Sequence, residues 1–207
     1  PYRPTSVPDD PLTIFEARLR EFFVARGFHE ARTVAFAPEA HGDVGPLNPL
    51  SQAEARLRRA LVPGLLRQVE HNFARSVRHV RLFEVGTVFA PSDSLADPPR
   101  ESRHLAAVLT GARVPPHWTG ETPTFDVWDV KALAEALLGE FGGEGLRVEP
   151  AEASPAAGFE AASAFRIVDE TGSPVGAAGL IAADAVDAPA WADPVGAIEV
   201  RLEPRFA

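Results

Sequence analysis

The 207-residue chain contains no cysteine and no methionine. The first absence excludes disulfides, thiolate catalysis, zinc ribbons and iron–sulfur clusters together, and it fits a reducing compartment such as the cytoplasm. The second, in a chain that opens at Pro1, reads as a piece cut from a longer protein, whose function then belongs to the parent. No apolar run approaches the ~18–20 residues that span a bilayer, and the proline-rich, polar stretch 1–11 is not a signal peptide. A soluble domain with no membrane partner is expected. Neither G-x-x-x-x-G-K-[ST] nor G-x-G-x-x-G occurs, so no phosphate-cradling loop is present. His29, His41, His71, His79, His104 and His117 show no H-E-x-x-H or i, i+4 pairing, and no metal site is expected. There is no G-x-S-x-G nucleophile elbow; a Ser/His/Asp triad assembled in space stays open, because sequence order is no guide to it.

What is present is an ordinary globular composition, 45% hydrophobic and 24% charged, enough for one large domain or two small ones. The net charge of −9 argues against a bulk electrostatic grip on nucleic acid, but it is unevenly spread. Residues 1–90 carry twelve arginines against ten carboxylates, whereas 91–207 carry seven arginines and one lysine against nineteen. Between Glu54 and Arg81 lie seven arginines (Arg56, Arg58, Arg59, Arg67, Arg75, Arg78 and Arg81) against two glutamates. This is either a solvated helix face or a surface that meets something acidic, such as phosphates.

Ile14, Phe15, Leu19, Phe22 and Phe23 make one buried stripe of a helix from near Pro11 to a left-handed cap at Gly27. A strand Arg32–Ala37 and an irregular loop His41–Pro49 follow. Ser51 with Glu54 three residues on matches the S-x-x-E capping box and predicts a helix Gln52–Leu61. Pro63 then suits the first turn of a second helix, Pro63–Ala74, with Leu65, Leu66, Val69 and Phe73 as its stripe. His79–Phe89 is the clearest strand: Val80, Leu82 and Val88 point one way, Phe83, Val85 and Phe89 the other, so it is covered on both sides. An acidic loop Ala90–Arg100 and a buried strand Leu105–Thr110 come next. A short strand Phe125–Trp128 leads to an N-cap at Asp129 and a helix striped by Val130, Leu133, Ala134, Leu137, Leu138 and Phe141, stopped at Gly142–Gly143. Strands Leu146–Glu149, Ala164–Asp169, Val175–Ile181 and Gly196–Leu202 close the chain. Helices early and strands late, without βα alternation, indicate an α+β domain with a largely antiparallel sheet. The boundaries are a linker from a preceding domain over 1–10 and a single domain over 11–207.

Spacing yields no active site. Asp126 and Asp129 across a strand-to-helix junction read as caps rather than as a catalytic carboxylate pair. Trp118 and Trp128 read as core rather than as pocket lining. Gly142, Gly143 and Gly145 follow a helix rather than open one.

The run from Asn48-Pro-Leu-Ser51 through Arg56, Leu61, Pro63-Gly-Leu-Leu66 and Asn72 to Val80-Arg-Leu-Phe-Glu-Val-Gly-Thr-Val-Phe89 resembles the catalytic-like domain of bacterial phenylalanine–tRNA ligase beta subunits. The likeness is dense over 48–89, looser over 104–138, including Trp118 and Phe125-Asp-Val-Trp-Asp-Val-Lys131, and positional over 159–203. It implies a class II aminoacyl-tRNA synthetase-like fold, an antiparallel sheet flanked by helices. Phe22 to Pro38 resembles motif 1, the subunit-contact element, and His79–Phe89 the opening strand of motif 2. Active class II enzymes bracket ATP with motif 2 and motif 3 arginines, whose guanidinium forks neutralise phosphate charge. The place for motif 3 here, Val175 to Asp184, holds no arginine.

The resemblance therefore implies a non-catalytic module, with no catalytic, metal or cofactor residues of its own, in an α2β2 ligase that charges tRNA with phenylalanine using ATP and Mg²⁺. Its partners would be the alpha subunit, through Phe22, Phe23, Phe28, Leu65, Leu66 and Phe73, and as a further candidate tRNA(Phe) or another acidic surface, through Arg56, Arg59, Arg67, Arg75 and Arg78. The alternatives are a self-sufficient class II-like ligase, for which Arg81, Glu84, Arg100 and Arg103 are the candidates, and a stand-alone dimerisation or binding domain.

Overall fold

A computed structural model describes residues 10–49, 51–94, 97–115, 117–118, 120, 122–141 and 145–202. The linker 1–10, except Asp10, and the Gly142–Gly143 stop lie outside the described residues. Helix α1 (Pro11–Val24) starts where the Asp10 carboxylate accepts the Thr13 N–H at 3.2 Å. It ends in a Schellman turn: Phe28 N–H donates to Phe23 C=O and Gly27 N–H to Val24 C=O, with Gly27 at φ +78°. Phe15, Leu19, Phe22 and Phe23 are buried, whereas Ile14 is exposed and leaves the predicted stripe.

The two-residue strand β1 (His29–Glu30) pairs in parallel with β4 (Val80–Ala90). The predicted strand over 32–37 forms ladder pairs only at β2 (Phe36–Ala37), against β3 (Arg56–Leu57). The predicted helix Gln52–Leu61 is absent. Ser51 Oγ accepts only the Ala53 N–H, Glu54 pairs with Arg67, and residues 56–57 run extended. A capping box is worth about 1 kcal/mol, less than the tertiary anchoring of this segment described below. Helix α2 (Val62–Phe73) does form, with Pro63 in its first turn.

Strand β4 pairs along its length with β5 (Arg100–Thr110). After helix α3 (Val127–Phe141) come β6 (Arg147–Pro150), β7 (Phe159–Val168), β8 (Pro174–Ile181) and β9 (Gly196–Leu202). The sheet order is β1-β4-β5-β9-β8-β7-β6, antiparallel at every ladder except β1–β4. At the start of α3, Asp126 Oδ1 accepts the N–H groups of Trp128 and Asp129, and Asp129 Oδ2 accepts the Asp126 N–H. The two carboxylates are reciprocal caps, with Asp126 rather than Asp129 as the N-cap.

Helices α1 and α3 cover one face of the sheet and α2 the other. Phe83, Val85, Leu105, Ala107, Ile198 and Val200 pack under α1 and α3; Val80, Val88, Ala106, Val108, Ala177 and Ala197 pack under α2. Alternation along β4 thus falls on the faces the sequence indicates. Trp118 and Trp128 are both exposed rather than core.

Candidate functional site

The α2 face owes its polar character to small residues between larger ones. One row across the sheet reads Glu84, Ala106, Glu199, Ala177 on β4, β5, β9 and β8; the next reads Gly86, His104, Arg201. A Cβ on Gly86 would lie 2.5 Å from Arg58 Nη2, so glycine is what lets the Arg58 side chain lie across β4. Arg58 Nη1 donates to Glu84 Oε1 and to Thr33 Oγ1, each at 2.8 Å, and Arg58 Nε donates to the Thr87 carbonyl. Thr33 completes the set by donating its hydroxyl to Glu84 Oε2 at 2.6 Å. The pair is buried, with only 2% of Glu84 exposed. It ties the stretches around Thr33 and Arg58 to the sheet, which is why the latter is extended rather than helical. Breaking such a pair by deleting one partner costs about 3–5 kcal/mol.

Next to it, Glu199 reaches the start of α2. Its carboxylate accepts the Leu61 and Val62 N–H groups at 3.0 Å and the His104 Nδ1 proton at 2.8 Å. A helix of twelve residues presents partial positive charge at this end, so a carboxylate from a distant strand serves as its cap. Between α2, β5, β8, β9 and the turn before Phe159 opens a cleft of about 300 Å³. Val62, Pro63, Phe159 and Ala177 form apolar walls, His104 and Glu199 lie among its polar lining, and Arg59, Arg201 and His41 also line it. Burial, with Arg59 and Arg67 adding repulsion, holds the His41 imidazole below its usual pKa of 6.5.

The residues singled out from sequence fall as follows. Phe22, Phe23, Phe28, Leu65, Leu66 and Phe73 are all buried within this chain. They build its core and offer no surface to a partner; an apolar stripe records that a face is covered, not what covers it. The apolar side chains left outward near the motif-1-like segment are Val24, Val34 and Phe36. The arginine cluster is not one patch. Arg56 pairs with Glu39, Arg59 with Asp43 and Arg67 with Glu54, at 2.9, 3.0 and 2.7 Å. Arg75 donates to the His71 carbonyl and Arg78 lies 4.5 Å over the Trp191 ring, both at the far end of α2.

The four side chains proposed for a self-sufficient ligase do not converge. Arg81 donates to the carbonyls of Arg26, Ala112 and Arg113, and Arg103 pairs with Glu16 of α1, both on the α1 face. Glu84 is locked to Arg58 on the opposite face, and Arg100 meets the exposed carboxylate of Asp93. Among the described residues no three histidine or carboxylate side chains gather as a metal site, and no described helix is long and apolar enough to cross a membrane. The sequence reading missed the Glu199 cap and the Arg58–Glu84 pair. Only the isolated glutamates inside two apolar strands could have signalled them.

The α+β architecture, a large antiparallel sheet with helices on both faces, is the class II synthetase fold. It superposes on the pyrrolysyl tRNA synthetase PylSc of Desulfitobacterium hafniense with a TM-score of 0.64 over 92% of this chain and 66% of that chain, at 13% identity. Within that class the sequence is more specific: the family described as the phenylalanyl tRNA synthetase beta chain CLM domain matches residues 2–202, and the chain belongs to it. Phenylalanine–tRNA ligase beta subunits are 40% identical over 129 residues in Vibrio vulnificus strain YJ016, 38% over 149 in Novosphingobium aromaticivorans and 34% over 136 in Bacillus cereus. These alignments cover 58%, 68% and 60% of this chain, and only 16%, 18% and 17% of the relatives, so the chain spans about a sixth of their length.

Proposed function

We propose that this domain is a catalytically inert class II module of a phenylalanine–tRNA ligase beta subunit, which supports subunit assembly in a cytoplasmic α2β2 enzyme. The holoenzyme would charge tRNA with phenylalanine at the expense of ATP, with Mg²⁺ and nucleotide held on the alpha subunit. The observation that carries the inert reading is the dispersal of Arg81, Glu84, Arg100 and Arg103. Phosphates are gripped by converging cations, and here two arginines are spent on α1-face carbonyls and Glu16 while the glutamate neutralises Arg58. The segment Val175–Asp184 also supplies no arginine.

The alpha subunit would meet the outward side of the motif-1-like segment, where Arg32, Val34 and Phe36 alternate with inward Ala31, Thr33, Ala35 and Ala37. A tRNA contact is best assigned to Arg75 and Arg78, since Arg56, Arg59 and Arg67 each already hold a carboxylate. The test is ATP–pyrophosphate exchange and size exclusion with and without the alpha subunit. The expected result is no exchange by the chain alone, co-elution with the alpha subunit, and loss of co-elution in Val34→Glu/Phe36→Glu. Exchange by the chain alone, or no association with alpha, overturns the proposal.

A further inference from the structure

Sequence order cannot say whether a serine, a histidine and a carboxylate meet in space, and on the α2 face of the sheet they do. Ser102 and His104 stand two residues apart on β5 and so project from the same face. Ser102 Oγ lies 3.3 Å from His104 Nε2, and His104 Nδ1 lies 2.8 Å from Glu199 Oε1 on the neighbouring strand β9. Among the described residues Ser102 Oγ has no other hydrogen-bond partner. An assembly role makes no use of this line of groups.

The order of the three groups decides their chemistry. Glu199 is held in place, because the Leu61 and Val62 N–H groups at the start of α2 donate to it at 3.0 Å. A fixed carboxylate receives the Nδ1 proton of His104, which leaves the Nε2 lone pair facing the serine hydroxyl. That is the tautomer a general base requires, and the roles run nucleophile, base, orienting carboxylate. The 3.3 Å separation is slightly beyond the usual reach of about 2.6–3.2 Å, as is common before a substrate is bound. Ser102 and His104 both line a hollow of about 290 Å³, with Val88, Pro174 and Val175 among its apolar lining. Ligand pockets run from roughly 300 to 1,000 Å³, so this one suits a short acyl chain.

We propose that Ser102 is an acyl-accepting nucleophile and that this hollow cleaves activated short-chain esters. Ser102 Oγ attacks the ester carbonyl carbon while His104 Nε2 takes the hydroxyl proton. The bond from that carbon to the leaving oxygen then breaks, and the leaving oxygen takes the proton from Nε2. Water attacks the acyl-Ser102 carbonyl and gives a proton to Nε2; the acid departs and Ser102 Oγ recovers its proton. Ser102 and His104 are catalytic residues, and Glu199 is a positioning residue. Ser102 sits within a strand rather than on a strand-to-helix elbow, so no helix N-terminus backs the developing oxyanion. The substrates are therefore esters with good leaving groups. Inertness toward ATP follows from dispersed cations, whereas ester cleavage needs no grip on phosphates. The activity goes beyond the assembly role and does not rest on it.

The experiment incubates the 207-residue chain with 4-nitrophenyl acetate and, separately, with diisopropyl fluorophosphate, whose serine adduct is stable and can be mapped by mass spectrometry. The expected result is saturable release of nitrophenolate and a single phosphoryl adduct, on Ser102. Ser102→Ala and His104→Gln should each lower kcat about 100-fold or more. Glu199→Gln should lower kcat about tenfold or more at unchanged KM, a split that a merely structural role would not give. No adduct on Ser102, release that fails to saturate, or a Ser102→Ala variant as fast as the unaltered chain would overturn the proposal. The labelling uses the unaltered chain, so it decides the matter even if a variant fails to fold. Pyrophosphate exchange, which tests the inert reading, is untouched by either result.

Discussion

The two faces of the sheet solve the same burial problem with different materials. Under α1 and α3 the packing is aromatic: Phe23 stacks on Phe83 at 5.0 Å, and Phe15 and Phe22 both meet Phe141 edge-on. Under α2 the strands are lined by alanine, valine and glycine, and the space so left is taken by Arg58–Glu84, by His104–Glu199 and by the cleft. Burial of apolar surface is non-directional and supplies stability. The polar face instead fixes where chain segments go, because each buried donor or acceptor must meet its partner. The α1 face is a foundation and the α2 face a device for positioning.

Substitutions on each face can break or sharpen that contrast. Phe23→Ala, at a fully buried position with rings on several sides, should cost about 3–5 kcal/mol in denaturant unfolding. Glu84→Ala should cost a similar ~3–5 kcal/mol by stranding the Arg58 charge, yet Arg58→Met with Glu84→Leu should recover most of that loss. No second substitution should rescue Phe23→Ala in this way. If the double variant is no better than the single, the pair contributes more than a compensated charge and the contrast fails. Glu199→Gln keeps the shape but removes the charge facing the α2 terminus, and a loss of about 1 kcal/mol is expected.

The smallest effect concerns His41. Its folded pKa is lowered, so the unfolded chain takes up the proton first as pH falls through about 6.5, and folding loses stability below that point. His41→Asn should therefore show a shallower fall in unfolding midpoint between about pH 7 and pH 5 than the unaltered chain. An equal or steeper fall would mean that His41 is not held in its neutral form.

Much of the scaffold was legible because its signals are periodic. The apolar stripe of α1, apart from Ile14, and the two-faced alternation of β4 each repeat a local rule, and the structure follows them. The Ser51–Glu54 capping box obeyed a local rule as well and was overridden. A helix there would carry Arg58 away from Glu84 and Thr33, and the burial of that network outweighs one cap. The six apolar side chains that the resemblance assigns to a subunit interface illustrate the opposite limit. Their spacing reports desolvation, which is the same whether the covering surface is another protein or this chain's own sheet.

The sequence by itself determined the α+β class, most element positions, the family likeness over 48–89 and the missing arginine in 175–184. These rest on residue identity and short spacing, which a linear chain carries directly. Only the tertiary structure decided that Glu199 caps a helix more than 130 residues before it, that the arginines divide between carboxylates and two ends of α2, and that a cleft opens beside His104. Such contacts join groups far apart in the chain, and their free energy depends on burial and distance, neither of which exists until the sheet has formed.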